Sequence, residues 1–325
     1  MFNGNEASWR RWKEIFDVLG VEAKGAGESI ETQVLEITNL EDMVKLRALG
    51  ELCSREYFDD ASLLVVAWRR IMEVLETEEK GGGKKGEKEE GDSKELEILD
   101  ACKALGQACG FVGDFDDARR YYKRAMEGYE EQLGRDSEKA LDATYFLIMG
   151  TVMSDVEKIE KLRDLAKKME RALGEENVVT LETLNYLGGK LRDNGEYEEA
   201  IKIFERYLAG RMKVLGEDHK HTLMAVNNLG NVYNVSLKNY EKALECYERA
   251  LKGQEKTLRN NHPLTLSTVM NIAIVYKIGI KDYGKAEEMY QKALDGKVAQ
   301  LGKENESTKN SAMNIAVCFA QAGEK

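Results

Sequence analysis

Two of the chain's three histidines stand two residues apart in Leu215–Leu223, LGEDHKHTL, beside Glu217 and Asp218. His-x-His next to carboxylates is a spacing that can hold a divalent metal or pair a general acid with a base. The other candidate groups add nothing to it. Cys53, Cys102, Cys109, Cys246 and Cys318 include no CxxC pair and read as buried, reduced thiols of a cytoplasmic chain. Gly81–Gly86, GGGKKG, invites a phosphate-loop reading, but the G-x-x-x-x-G-K-[ST] spacing is missing. No Ser/His/Asp or Cys/His arrangement is found, and the EE and DD pairs fall at helix starts, where they match the helix dipole. The expectation is therefore a protein with no catalytic residue, metal site or cofactor.

Comparison with other segments gives LGEDHKHTL a different meaning. LGRDSEKAL, LGEENVVTL, LRNNHPLTL and LGKENESTK have the same length, and their fifth residues are Ser137, Asn177, His262 and Asn305. Asn39 holds that slot in LEITNLEDM. Ser and Asn are favoured N-caps, and Pro263 after His262 suits a first helical position. His219 is thus predicted to start a helix, with His221 in its first turn beside a recurring threonine, Thr222.

These connectors punctuate a repeat. Leu187, Leu229, Ile272 and Ile315 lie at equivalent points of LNYLGGKL, VNNLGNVY, MNIAIVY and MNIAVCF, at steps of 42, 43 and 43 residues. Leu147, Leu105 and Leu49 extend the frame backwards at 40, 42 and 56. After most of these comes a second pattern in which a small residue (Ala118, Ala200, Ala243, Ala286) precedes an aromatic by four (Tyr122, Phe204, Tyr247, Tyr290). Ala125, Tyr207, Ala250 or Ala293 follows three further on, so each set forms one helix face. A single proline in 325 residues agrees with helix throughout. The unit is helix A, turn, helix B, and stacked units share a core that one pair could not bury. The fold class is all-α, an α-solenoid of stacked antiparallel helix pairs, about six repeats plus a terminal unpaired helix.

The boundaries follow from composition. Residues 1–38 form an N-terminal helical segment containing SWRRWKEIFDVL, 39–77 a degenerate first repeat, and 78–94 a charged, Gly-rich stretch expected to be a mobile loop. Residues 95–325 form the main array, ending at QAGEK inside an incomplete last repeat. A net charge of −11 disfavours nucleic acid as a partner. No secretory h-region or run of about 20 apolar residues is read from the sequence.

The helix pair resembles the tetratricopeptide repeat, with Leu-Gly early in helix A and the Ala, aromatic, Ala series in helix B. The long period and the LGEDH and RNNHPLT connectors are similar to kinesin-light-chain-type repeats. The resemblance is strong over about Thr180–Ala320, moderate from Leu96 and weak before it. Arg163 stands where an aromatic is expected, and no long heptad segment precedes the repeats, so a complete kinesin light chain is not expected. The resemblance implies a right-handed superhelix whose concave groove, lined by the A helices, binds extended peptides.

On the A helix of LGEDHKHTL, Leu223, Val226, Gly230 and Tyr233 share one side, and Met224, Asn227, Asn228 and Asn231 the nearly opposite one. Asn228 recurs as Asn271 and Asn314, an amide ladder suited to a peptide backbone of any sequence. Asn185, Tyr186, Met270, Ile274, Met313 and Val317, with Tyr145 and Phe146, extend this peptide-binding surface. Lys103 and Arg47 are its clear cations, so a strongly acidic ligand is not expected there. Arg206 and Arg249 on B helices would change that if they reached the groove. The expected function is a non-enzymatic protein–protein interaction scaffold. The alternatives are a kinesin-light-chain-like cargo or motor adaptor and a self-assembling subunit that associates through its unpaired last helix.

Overall fold

The structure, a computed structural model, describes residues 61–81, 88–235 and 238–323. Segment 1–38, the first part of the degenerate repeat with Arg47, and residues 82–87 lie outside the described residues. Within 78–94, residues 78–81 complete one helix and 88–94 begin the next.

Every regular element among the described residues is helical. The chain divides into two compact units at Met153 and Ser154. The first contains α1 (Ala61–Gly81), α2 (Lys88–Val112), α3 (Phe115–Leu133) and α4 (Glu138–Gly150). The second contains α5 (Asp155–Leu173), α6 (Val178–Asp193), α7 (Tyr197–Leu215), α8 (Lys220–Val235), α9 (Tyr240–Thr257), α10 (Pro263–Ile274), α11 (Tyr283–Leu301) and α12 (Glu306–Gly323). In each unit, helices consecutive in sequence pack on one another, which is the stacking of an α-solenoid.

The core is built from the recurring stripe. Ala118, Tyr122 and Ala125 are buried on α3, and Ala200, Phe204 and Tyr207 on α7. Ala243, Tyr247 and Ala250 on α9 and Ala286, Tyr290 and Ala293 on α11 repeat the arrangement. Burying each ring contributes roughly 1.5–3 kcal/mol, and the alanines let the helix carrying it approach its neighbours. A second periodic device lies one turn further along the B helices. A Cβ on Gly210, Gly253 or Gly296 would come within 2.4–2.5 Å of the side chain of Leu181, Leu223 or Leu266 on the preceding A helix. Gly128 receives Leu99 in the same way in the first unit. Each leucine is a knob seated in a glycine hole.

The connector side chains cap the helices. Ser137 accepts from the Ala140 N–H, Asn177 from Val179 (2.8 Å) and His262 from Leu264 through Nδ1 (3.2 Å). His219 Nδ1 accepts from the His221 N–H at 3.3 Å, and Asn305 from the Ser307 N–H at 2.9 Å. The threonine clasps the connector behind it: Thr222 donates to the Gly216 carbonyl (2.7 Å) and Thr265 to that of Arg259 (3.4 Å). His219 and His221 are thus occupied with starting α8, their rings stacked 5.4 Å apart. Among the described residues, no three His, Cys, Asp or Glu side chains converge as a metal site would require.

The A-to-B turns that carry a left-handed residue come in two lengths. In the shorter, Gly113 and Gly195 take left-handed backbone at φ 83° and 86°. Turns after α8 and α10 are one residue longer, and Lys238 (φ 49°) and Lys281 (φ 60°) occupy that conformation instead. After α10 the additional residue is absorbed by a π-helical segment, Val275–Ile280. Pro263–Ile280 as a whole has the length and apolarity of a membrane span, which the sequence reading did not single out. Leu266, Val269, Ile272, Ala273 and Val275 of this stretch are buried against neighbouring helices, whereas Ile278 and Ile280 at its end are exposed.

Candidate functional site: an amide ladder on the A helices of the second unit

Adjacent A helices of the second unit touch directly, α6 with α8 and α8 with α10. The contact places asparagines of successive repeats side by side. Asn228 on α8 donates through Nδ2 to Asn185 Oδ1 on α6 at 2.9 Å. Asn271 on α10 donates through Nδ2 to Asn227 Oδ1 and Asn231 Oδ1 on α8, both at 3.2 Å. Thr268 Oγ1 reaches Asn227 Oδ1 at 3.3 Å, and the Tyr247 hydroxyl reaches Asn231 Oδ1 at 2.7 Å. The amides therefore bond first to each other, as a clasp between repeats.

A count of lone pairs and protons shows what is left for a ligand. Both lone pairs of Asn231 Oδ1 are taken, while Asn227 Oδ1 accepts from Asn271 and competes with the Leu264 carbonyl, 3.1 Å away, for the single Thr268 hydroxyl proton. Within the ladder, the Nδ2 protons of Asn185, Asn227 and Asn231 and the Oδ1 atoms of Asn228 and Asn271 are not used. These donors and acceptors belong to half-buried side chains. An extended backbone presents alternating C=O and N–H groups, so this mixture fits it.

The ladder does not continue to α12. Met270 stands on α10 where Asn185 and Asn227 stand on α6 and α8, so Asn314 has no carboxamide at that position to meet. The surface becomes apolar here, with half-buried Met270 and Ile274 followed by Met313, 65% exposed, and Val317. Tyr186 and Met224 are half-buried at the other end. Tyr145 and Phe146 lie on α4 in the first unit, Phe146 stacked on Tyr122 at 5.4 Å.

Charges near these faces are largely neutralised in place. Lys103 on α2 pairs with Asp142 on α4 at 2.7 Å, the first unit's ionic counterpart of the amide clasp. Lys190 pairs with Asp155 at 2.8 Å, and its ammonium lies 6.0 Å from the Tyr186 ring centre. Several B-helix cations join neighbouring B helices instead. Arg163, in place of the expected aromatic, grips Glu199 through two 2.9 Å hydrogen bonds and also reaches Glu196. Arg206 pairs with Glu170, Lys292 with Glu255 (2.6 Å), and Arg249 lies against Met212. Arg211 is 3% exposed, pairs with Glu182 and faces the Tyr207 ring at 5.3 Å.

The sequence pattern had identified the recurring asparagines but not their mutual bonds. Those depend on an offset: Asn228 and Asn271 meet residues one place earlier in the preceding frame, and Asn271 also meets Asn231, three places later in it. The glycine holes were missed as well, although Gly210, Gly253 and Gly296 recur at steps of 43.

A solenoid of antiparallel helix pairs, with a polar clasp along one helix row, defines a repeat protein of the interaction type. The chain carries tetratricopeptide repeats: residues 179–256, 221–297 and 104–138 match that family. No curated protein matches the chain in sequence. Among solved structures, it is similar to the kinesin-light-chain-like, nearly identical TPR-like repeats of Podosopora anserina, at 20% identity. That likeness covers 63% of this chain and 98% of the other, with a TM-score of 0.54. BtubC (BKLC) from P. vanneervenii is 19% identical over 77% of this chain and 95% of its own, with a TM-score of 0.59. A Rap protein complexed with Competence and Sporulation Factor is 12% identical over 99% of this chain and 89% of its own, with a TM-score of 0.56. At these identities the likeness establishes the fold.

Proposed function

We propose that the second unit is a non-enzymatic interaction scaffold that holds an extended segment of a partner protein across α6, α8, α10 and α12. The observation carrying this reading is the unused hydrogen-bonding capacity of Asn185, Asn227, Asn228, Asn231 and Asn271 beside Met270, Ile274, Met313 and Val317. The amides address main chain irrespective of sequence, and the apolar end takes side chains. With Lys190 neutralised by Asp155, the preferred segment is neutral and partly apolar. The complex of a similar Rap protein with Competence and Sporulation Factor supports a holding role for such a stack. Free Cys102, Cys109 and Cys246 support a reducing, cytoplasmic setting.

A random-peptide display screen tests this reading, repeated with Asn228→Ala/Asn271→Ala and with Met270→Ser/Met313→Ser. Thermal melts identify any variant that has lost its fold. Selected peptides should bind the folded variants about 10-fold or more weakly, the loss of one to two hydrogen bonds. Equal affinity for all three proteins would remove the groove from consideration.

A further inference from the structure

The two longer A-to-B turns, which the groove does not use, share a surface chemistry unlike the rest of this acidic chain. Residues 238–242 and 277–285 contain Lys238, Lys242, Lys277, Lys281 and Lys285, with Glu241 and Asp282 as their only carboxylates, in a molecule of net charge −11. The turns adjoin one another: Tyr240 packs on Gly279, where a Cβ would come within 2.5 Å of its ring. Lys242 and Lys285 lie over the Tyr233 and Tyr276 rings at 5.3 and 5.2 Å, and Asp282 is 3.7 Å from Lys285. Among the described residues, Lys238, Lys277 and Lys281 have no ion-pair partner.

Apolar groups stand out among these cations. Val235 and Ile278, at equivalent positions of the two repeats, are 68% and 62% exposed, and Ile280 is 46% exposed. Ile280 lines an open depression of about 500 Å³ with Lys238, Asn239, Tyr240 and Glu241. The additional residue of the turn and the π-helical segment present Ile280 and Lys281 here, and such segments are frequent at functional positions. The shorter turn after α6 contains Asp193 and Glu196 and offers no comparable surface.

We infer that residues 238–242 and the adjoining 277–285 form a second docking surface, for an acidic protein segment whose carboxylates flank aliphatic side chains. Unpaired ammonium groups around an exposed isoleucine are complementary to that chemistry in both charge and polarity. None of these lysines or isoleucines takes part in the ladder's hydrogen bonds, so the two surfaces could serve different segments of one partner.

Fluorescence anisotropy of the full chain with labelled Glu-Glu-Leu-Leu-Glu-Glu tests the inference, with Glu-Glu-Gly-Gly-Glu-Glu and Lys-Lys-Leu-Leu-Lys-Lys as companion probes. The leucine peptide should bind at low salt at least about 10-fold more tightly than the glycine peptide. Lys238→Glu/Lys281→Glu and Ile278→Ser/Ile280→Ser should each weaken it about 10-fold or more, and the charge-reversed variant should gain binding to the lysine peptide. Asn228→Ala/Asn271→Ala should leave this binding unchanged, which separates the result from the fate of the groove. The inference is overturned if the leucine and glycine peptides bind alike, or if neither turn variant weakens binding. It is equally overturned if phosphatidylserine vesicles capture the chain through Lys238 and Lys281 while the leucine peptide does not bind.

Discussion

Cys102 shows how burial sets the behaviour of a single group in this protein. Its thiol is enclosed, donates to Met72 Sδ at 3.7 Å, and is pushed up to about 11 by desolvation. The folded chain therefore keeps Cys102 protonated at a pH where the unfolded chain begins to ionise it. Stability from this group is complete below a pH of about 9 and is lost as pH rises toward about 11, at up to about 1.4 kcal/mol per pH unit. Urea unfolding at pH 8 and 10.5 should show a smaller alkaline loss for Cys102→Ala than for the parent chain. Equal losses would mean that the buried thiol is not the titrating group. The histidines illustrate the opposite case, in which residue type misleads. His219 and His262 look like ligands because imidazole is the commonest metal ligand, yet their Nδ1 atoms accept backbone N–H groups at helix starts. Setting the connectors side by side made that role legible, since Ser137, Asn177 and Asn305 perform the same task in the same slot.

At the scale of the element, the two turn lengths fill the same left-handed backbone conformation with different residue types. Gly195 occupies left-handed backbone at no steric cost, whereas Lys281 holds φ 60° with a Cβ present. Lys281→Gly should therefore raise stability by up to about 1 kcal/mol, and Gly195→Ala should lower it by about that amount. Thermal melts of the two variants check the pair, and a destabilised Lys281→Gly would show that the lysine side chain secures the turn by contacts of its own. Helices and stripes were legible because burial selects residue type with a period, as in Ala243, Tyr247 and Ala250. Gly210, Gly253 and Gly296 were harder to read because glycine inside a helix has no apolar signature, and its meaning depends on a leucine some 30 residues earlier. The π-helical segment was not legible either. One additional residue can be accommodated anywhere in a turn, and packing around Tyr240 decides where.

Across the second unit, the A and B rows are joined by different chemistry. Amides link α6, α8 and α10, while ion pairs such as Arg163–Glu199, Arg206–Glu170 and Lys292–Glu255 link the B helices. The ion pairs gave no sequence signal, because Glu and Lys are abundant on every helix and few of them meet. The ladder gave half of one, its recurrence but not its offset. A double-mutant cycle on Asn227 and Asn271 should return a coupling of about 0.5–1.5 kcal/mol that persists in 1 M salt. The same cycle on Lys292 and Glu255 should give less than about 1 kcal/mol and fade with salt. If both couplings respond to salt alike, the two rows are not held by different forces.

The longer turns have a consequence for how such a stack can change its sequence. A residue gained where α10 ends is taken up by the π-helical segment before α11 begins, so Ala286, Tyr290 and Ala293 keep the phase of their counterparts on α7. Units of 42 and 43 residues therefore coexist in one stack without a break in its core. The junction between paired helices works as an expansion joint: insertions and deletions there alter the outer edge and spare the interior, so that edge can diversify while the repeats go on stacking.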